Sequence, residues 1–157
     1  MTTAATSTST LRTDIGLTIL RVATGAIFFA HGAQKLFVYG FAGVSGAFQG
    51  IGIPFPGIAG PLTGLVEFFA GLALVVGLLT RLAGVGLAIT MLGAIAFVHL
   101  AAGFFAPTGF EYPLALLAAT SALAFTGAGR FSLDALIASR RRSPAAAKLA
   151  RTFNRAA

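Results

Sequence analysis

The sequence predicts an all-α integral membrane protein: a four-transmembrane-helix bundle with an interfacial loop or helix between the first two helices. Three observations carry this reading. First, Ala, Val, Ile, Leu, Met, Phe, Trp, Tyr and Cys make up 57% of the 157 residues, and 20 glycines lift the apolar total to about 70%, where about 45–50% is usual for a similar set in soluble domains. Second, charged residues are 10% against about 25% in soluble chains; 11 basic and 4 acidic side chains cannot coat a soluble globule of this size. Third, apolar stretches of membrane-spanning length recur along the chain. A soluble enzyme, a disordered tail and a nucleic-acid module are thereby excluded, in line with a mean hydropathy of +0.90.

Residues 1–13 are small and polar and read as a disordered N-terminal segment. No basic stretch precedes a short apolar core there, so no removable signal peptide is expected. Residues 14–137 form the membrane domain. Its first span is Ile15–Phe37, its second Ile58–Leu79 and its third Leu82–Phe105, of 23, 22 and 24 residues; each meets the roughly 20 needed to cross the hydrocarbon core. The fourth, Tyr112–Ala128, has 17. Pro113 suits its first turn, and Gly127 and Gly129 suit its end. Only Thr80 and Arg81 separate the second and third spans, which predicts a tight helical hairpin. Between the first two spans, Phe41, Val44, Phe48 and Ile51 recur at helical spacing. That segment is either a short helix lying in the interface plane or a glycine-rich loop folded over the bundle.

Residues 138–157 are a basic tail, with six of the chain's 11 Lys and Arg between Arg140 and Arg155. With four spans, Arg12, Arg81, Arg130 and this tail share one side, and Lys35 is the only basic residue at the opposite face. The positive-inside rule therefore places both termini in the cytoplasm. The partner this charge fits is the lipid bilayer, not nucleic acid. Zero cysteines remove disulfides, thiolate metal sites and thiol nucleophiles.

Ionisable groups within spans are costly and need a partner or a task. The candidates are Arg21, His31, Lys35, Glu67, His99 and Glu111. At about 1.5 Å per residue, His31, Glu67 and His99 lie roughly 9–14 Å below the outer surface, with Lys35 and Glu111 near it. Helix side chains lean toward the helix N-terminus, so Lys35 leans toward the level of His31 and Glu67 leans up to meet it. A Lys35–Glu67 pair with His31 beside it is the expected cluster. Gly60, Gly64 and Gly71 share a face with Glu67 and allow close helix approach, turning Glu67 to the bundle. The same pair would also serve merely to fix helix register. Arg21, in the other half, is expected to snorkel to lipid phosphates or toward Asp14. Haem ligation by His31 and His99 is disfavoured, since a histidine hydrogen-bonded within a polar cluster is commoner, as is a metal site built from both with Glu67 or Glu111, for no ligand spacing within one helix marks it. A histidine late in one helix and a glutamate on the next, His31 with Glu67 and His99 with Glu111, suggest a duplicated two-helix unit.

The residues Arg21-Val-Ala-Thr-Gly25, then Phe28-Phe-Ala-His31-Gly32-Ala-Gln-Lys35-Leu36, resemble the first-helix motif of the DoxX family of small bacterial membrane proteins. The resemblance continues through Glu67-Phe-Phe-Ala-Gly71, Gly77-Leu-Leu-Thr80-Arg81, His99, Gly109-Phe-Glu111-Tyr112-Pro113 and Gly127-Ala-Gly129-Arg130-Phe-Ser132-Leu-Asp134. It implies a four-helix protein of the bacterial cytoplasmic membrane, similar to a subunit of thiosulfate:quinone oxidoreductase. It also implies association with oxidoreductase complexes in oxidative-stress defence.

The leading expectation is a quinone-interacting subunit of a membrane oxidoreductase, not an autonomous enzyme. His31 and Glu67 would hydrogen-bond a quinone's oxygens and pass protons, Lys35 would hold Glu67 ionised or stabilise a developing quinone anion, and His99 with Glu111 would join the binding set as its exit toward the periplasm. Arg21, Gly32, Gly64, Gly71 and Pro113 are assigned structural roles. The partners implied are the bilayer, oxidoreductase subunits and a second copy of the chain. The alternatives are a non-catalytic scaffold or assembly factor and, third, a small-solute or proton transporter.

Overall fold

A computed structural model describes the backbone of residues 3–140 and the side chains of 10–140; the basic tail from 141 onward lies outside the described residues. The first helix, α1, runs Thr3–Ala33 and passes into a π-helical turn, Gln34–Tyr39. Gly40, at φ +65°, breaks the axis there, a conformation that glycine adopts at little cost. Helix α2 follows as Gly40–Gly50, then α3 as Pro56–Val76. Helix α4, Thr80–Ala94, continues through a second π-helical turn, Ile95–His99, and a 3-10 turn, Leu100–Ala102. Helix α5 is Glu111–Thr126, and α6 covers 133–140. No strand occurs among the described residues.

Three of these stretches, Thr10–Gly50, Pro56–Val76 and Thr80–Ala102, are long and apolar enough to cross a membrane. The surface agrees: Ile19, Phe69, Ile89 and Phe125 are each 60% or more exposed, as expected of a protein solvated by lipid and not water. The chain is an integral membrane protein. The fourth expected span falls on α5, which has only 16 residues, about 24 Å at 1.5 Å per residue, and is not among those three stretches. The N-terminal expectation needs correcting too. Residues 3–13 are helical, continuing α1 toward its start. No proline or glycine precedes Gly16, and extending an existing helix costs far less than nucleating one.

Between the first two spans, the helical alternative is the one adopted. Val44 is the buried residue of α2, and its backbone and side chain lie against Gly60 of α3. Phe41 and Ile51 stay exposed.

Helices α1 and α3 pack antiparallel with their backbones in near contact. A Cβ on Gly25 would fall 2.7 Å from the Gly71 carbonyl oxygen, one on Gly32 would overlap the Phe68 backbone nitrogen, and one on Gly71 would overlap that of Phe29. Small residues permit such approach where no hydrophobic effect drives association. Helices α4 and α5 pair in the same way, with Gly84 against Thr120 and Ala124. Phe28, Leu74, Leu87, Leu116 and Leu123 fill the space between the two pairs.

The end of the bundle holding the α3–α4 hairpin is closed by polar side chains bonded to backbone. Asp134 accepts from the Leu79 and Thr80 amides at 2.8 and 3.0 Å, capping α4. Asp14 accepts from the Arg130 amide at 3.0 Å. The two junctions match: Gly77 and Leu79, then Gly127 and Gly129, all have positive φ, and the residue three past each first glycine donates to an aspartate. With a π-helical turn late in both α1 and α4, this likeness strengthens the case for a duplicated two-helix unit.

Arg21 does not snorkel. It is 2% exposed; Nη1 donates to the carbonyls of Leu74 and Val75, both at 2.7 Å, and Nη2 to that of Phe131 at 2.8 Å. The last turn of α3 has no further helical amides to bond: Leu74 accepts only a 3.2 Å capping bond from the Gly77 amide, and these near carbonyls outcompete distant phosphates. Arg21→Lys removes the planar fork and leaves at least one carbonyl unpaired, at about 1.5–3 kcal/mol for a charge-assisted bond. Thermal unfolding in detergent should show a clearly lowered midpoint; an unchanged one would mean that these bonds contribute nothing.

Candidate functional site

Away from the hairpin end, the α1–α3 and α4–α5 pairs enclose a cavity of about 600 Å³, within the range of small-molecule sites. Phe28, Met91 and Leu116 contribute to its wall from the buried core, with Val66 and Ala94 beside them. Four of the five expected binding residues line it: His31, Lys35, Glu67 and His99.

The centre of the polar wall is an ion pair. Lys35 Nζ donates to Glu67 Oε2 at 2.5 Å, and Glu67 is only 4% exposed. Local sequence explains the meeting. Gly64, one turn before Glu67, has no side chain, so the Lys35 stem lies across α3; a Cβ there would come 3.3 Å from Lys35 Cβ. Lys35 also sits in the π-helical turn, a feature often found at functional sites. His31 is on the cavity wall and on the exposed part of α1; its side chain joins the cluster as a wall residue, not as a bonded partner of the ion pair.

His99 approaches from the facing helix. Its Nδ1 lies 2.8 Å from the Thr108 carbonyl oxygen. A carbonyl only accepts, so Nδ1 is the donor of this bond and Nε2 is the ring nitrogen left free of it. Glu111 is not brought to the site: its Oε1 accepts from the Ala106 amide at 2.8 Å, and the cavity wall does not include it. As the first residue of α5, it is close to amides of its own loop, and that short-range bond decides its direction. His99 and Glu111 together hold the 103–110 loop.

The structural residues fall into place around this site. Gly32 and Gly71 bring α1 and α3 together and Gly64 seats Lys35. Pro113 is buried in the first turn of α5, where a missing amide costs no helical bond. Thr63, Thr90 and Tyr112 also line the cavity and were not singled out from sequence. Thr63 stands one turn before Glu67 on the same face, so spacing could have found it; Thr90 and Tyr112 carried no such signal. No group of three or more His, Cys, Asp or Glu able to hold a metal ion occurs among the described residues.

These features define a class: an all-helical integral membrane protein with a partly buried ion pair on the wall of a mostly apolar cavity. The family model described as DoxX matches residues 16–100, which include His31, Lys35, Glu67 and His99, and the chain belongs to the DoxX family. A second model, described as "TQO small subunit DoxD", matches residues 61–152. The chain is 36% identical over 124 residues to "Putative oxidoreductase CatD" of Bacillus subtilis (strain 168), covering 79% of this chain and 88% of that protein. It is 36% identical over 132 residues to "Uncharacterized membrane protein Rv3486" of Mycobacterium tuberculosis (strain ATCC 25618 / H37Rv), covering 77% and 80%. No solved structure matches it. The protein is thus a DoxX-family membrane protein related to oxidoreductase subunits.

Proposed function

We propose that this chain is a quinone-interacting subunit of a membrane oxidoreductase complex in the bacterial cytoplasmic membrane. In this reading the bundle crosses four times, α5 being the shortest span, and both termini lie in the cytoplasm. The observation that carries the proposal is the Lys35–Glu67 pair, nine-tenths buried on its carboxylate side, opening onto a mostly apolar cavity. Ligand sites commonly have this composition: apolar walls with a few convergent polar groups.

The residues present fit a quinone ring. Bound there, a quinone supplies two carbonyl oxygens and an acceptor for electrons. His31 and Lys35 are the donors on the α1 wall, and His99 presents its free ring nitrogen from α4. Glu67, paired with Lys35, is the group placed to take up or return a proton. Thr63, Thr90 and Tyr112 offer further hydroxyls. With no cysteine in the chain to relay them, reducing equivalents come from a bound cofactor or from a partner subunit.

The test is a titration of the full chain in nanodiscs with ubiquinone-1. Wild type should bind saturably, and Glu67→Gln should weaken binding at least tenfold. Absence of binding by the wild type, or equal binding by the variant, would overturn the proposal. One observation favours a second reading, that of a scaffold: the same ion pair ties α1 to α3 beside Gly32 and Gly64. On that reading Glu67→Gln lowers stability and leaves quinone titration without any saturable signal to lose.

A further inference from the structure

The cavity wall differs from side to side in what it exposes. Leu62 on α3 and Ile89 on α4 line the cavity and are 55% and 63% exposed. Phe97 and Val98, in the π-helical turn after α4, also line it and are exposed. All four are apolar. Between them α4 lines the cavity with the small residues Gly86, Gly93 and Ala94, the two glycines two turns apart on one face, which keeps side-chain bulk out of the gap. A Cβ added at Gly93 would meet nothing within 4 Å. The other exposed lining residues, His31 on α1 and Tyr112 on α5, are polar and belong to the opposite wall.

From this we infer that the gap between α3 and α4 is a lateral portal to the hydrocarbon of the bilayer, and that the ligand enters through it already dissolved in lipid. The ligand class follows from the portal. It is a molecule with a polar ring or head that reaches Lys35 and Glu67 and a hydrocarbon chain that stays between Leu62, Ile89 and Phe97. Its head chemistry rests on the quinone reading; its chain and its route do not. At this gap a water-borne ligand would have to cross an apolar edge with no group to replace its hydration. A hydrocarbon chain moving from lipid to this rim exchanges one apolar surrounding for another, and so pays no such penalty.

The absence of native cysteine makes the test direct. A nitroxide is attached in the full chain at Ile89→Cys, and in a second sample at Phe125→Cys, which is 82% exposed and remote from the cavity. Both are reconstituted in phosphatidylcholine liposomes, and collision with oxygen, which dissolves in lipid, is compared with collision with a water-soluble nickel chelate. At both positions oxygen access should exceed nickel access by a similar ratio. A long-tailed ubiquinone in the bilayer should immobilise the label at Ile89→Cys and not that at Phe125→Cys. A tail-less quinone with the same ring should need at least tenfold more for the same effect, and Gly93→Leu, which fills the gap, should raise the long-tailed requirement at least tenfold. Nickel access at Ile89→Cys equal to or above oxygen access would overturn the portal. Equal potency of the two quinones with no effect of Gly93→Leu would overturn it as well, while leaving a quinone site intact. Lipid access at Ile89→Cys with no response to either quinone would overturn the quinone reading and leave the portal standing.

Discussion

Gly32→Ala should cost about 3 kcal/mol of stability, the upper part of the range for overpacking a tight contact, and should abolish ligand binding with it. The added methyl would overlap the backbone nitrogen and Cα of Phe68 and the carbonyl carbon of Glu67. Backbone atoms in the middle of α3 have no rotamer by which to yield, so α1 and α3 must separate as bodies. The separation carries Lys35 away from Glu67, one turn along. Gly71→Ala, which overlaps the Phe29 nitrogen, should behave alike, and the double variant should lose less than the sum because one displacement relieves both overlaps. Gly93→Ala is the internal control: with open space around its Cβ it should be neutral or gain up to about 1 kcal/mol from helix propensity. Thermal unfolding of purified protein in detergent gives all four values. A Gly32→Ala midpoint equal to that of wild type would show that the two helices are not held at this distance.

That contact shows what kind of information the sequence carried. Gly60, Gly64 and Gly71 at helical spacing with Glu67 marked one face of α3, and side-chain lean on oppositely directed helices was enough to pair Lys35 with Glu67. Both inferences needed only helix geometry and local periodicity. The tight hairpin and the helical period of 41–51 were legible for the same reason, but the sequence puts the turn at Thr80 and Arg81, whereas the chain turns between Gly77 and Leu79, and Thr80 and Arg81 open α4.

What stayed hidden depended on elements distant in sequence or on competition between partners. Arg21 reaches carbonyls 53, 54 and 110 residues away, and nothing near it announces them; lipid phosphate and Asp14 were the only acceptors visible locally. Glu111 was grouped with the cluster by depth, but an amide five residues away in its own loop captured it. The cavity itself is a product of how two helix pairs diverge, so Thr90 and Tyr112 acquire meaning only once α4 and α5 are placed. The π-helical turns at Lys35 and His99 were likewise beyond reach, because an extra residue in a turn leaves hydropathy unchanged.

Lys35→Met and its double variant separate the two meanings of the ion pair. Alone, Lys35→Met leaves the Glu67 carboxylate buried at 4% exposure with its partner gone, a loss of about 3 kcal/mol, at the lower edge of what breaking a buried pair costs. Glu67→Gln alone should cost less, because the Lys35 side chain is 22% exposed and its amine can extend toward polar surroundings while the stem stays buried. Adding Glu67→Gln to Lys35→Met removes the stranded charge, and stability should return to within about 1 kcal/mol of wild type. Quinone binding should not return, since neither the donor nor the carboxylate is present. A pair that only set helix register would behave otherwise: once the double variant regained its stability, every property of the complex would come back with it. Thermal midpoints and quinone titrations on the same three samples therefore decide the matter, and recovery of both together in the double variant would remove Lys35 and Glu67 from any chemical role.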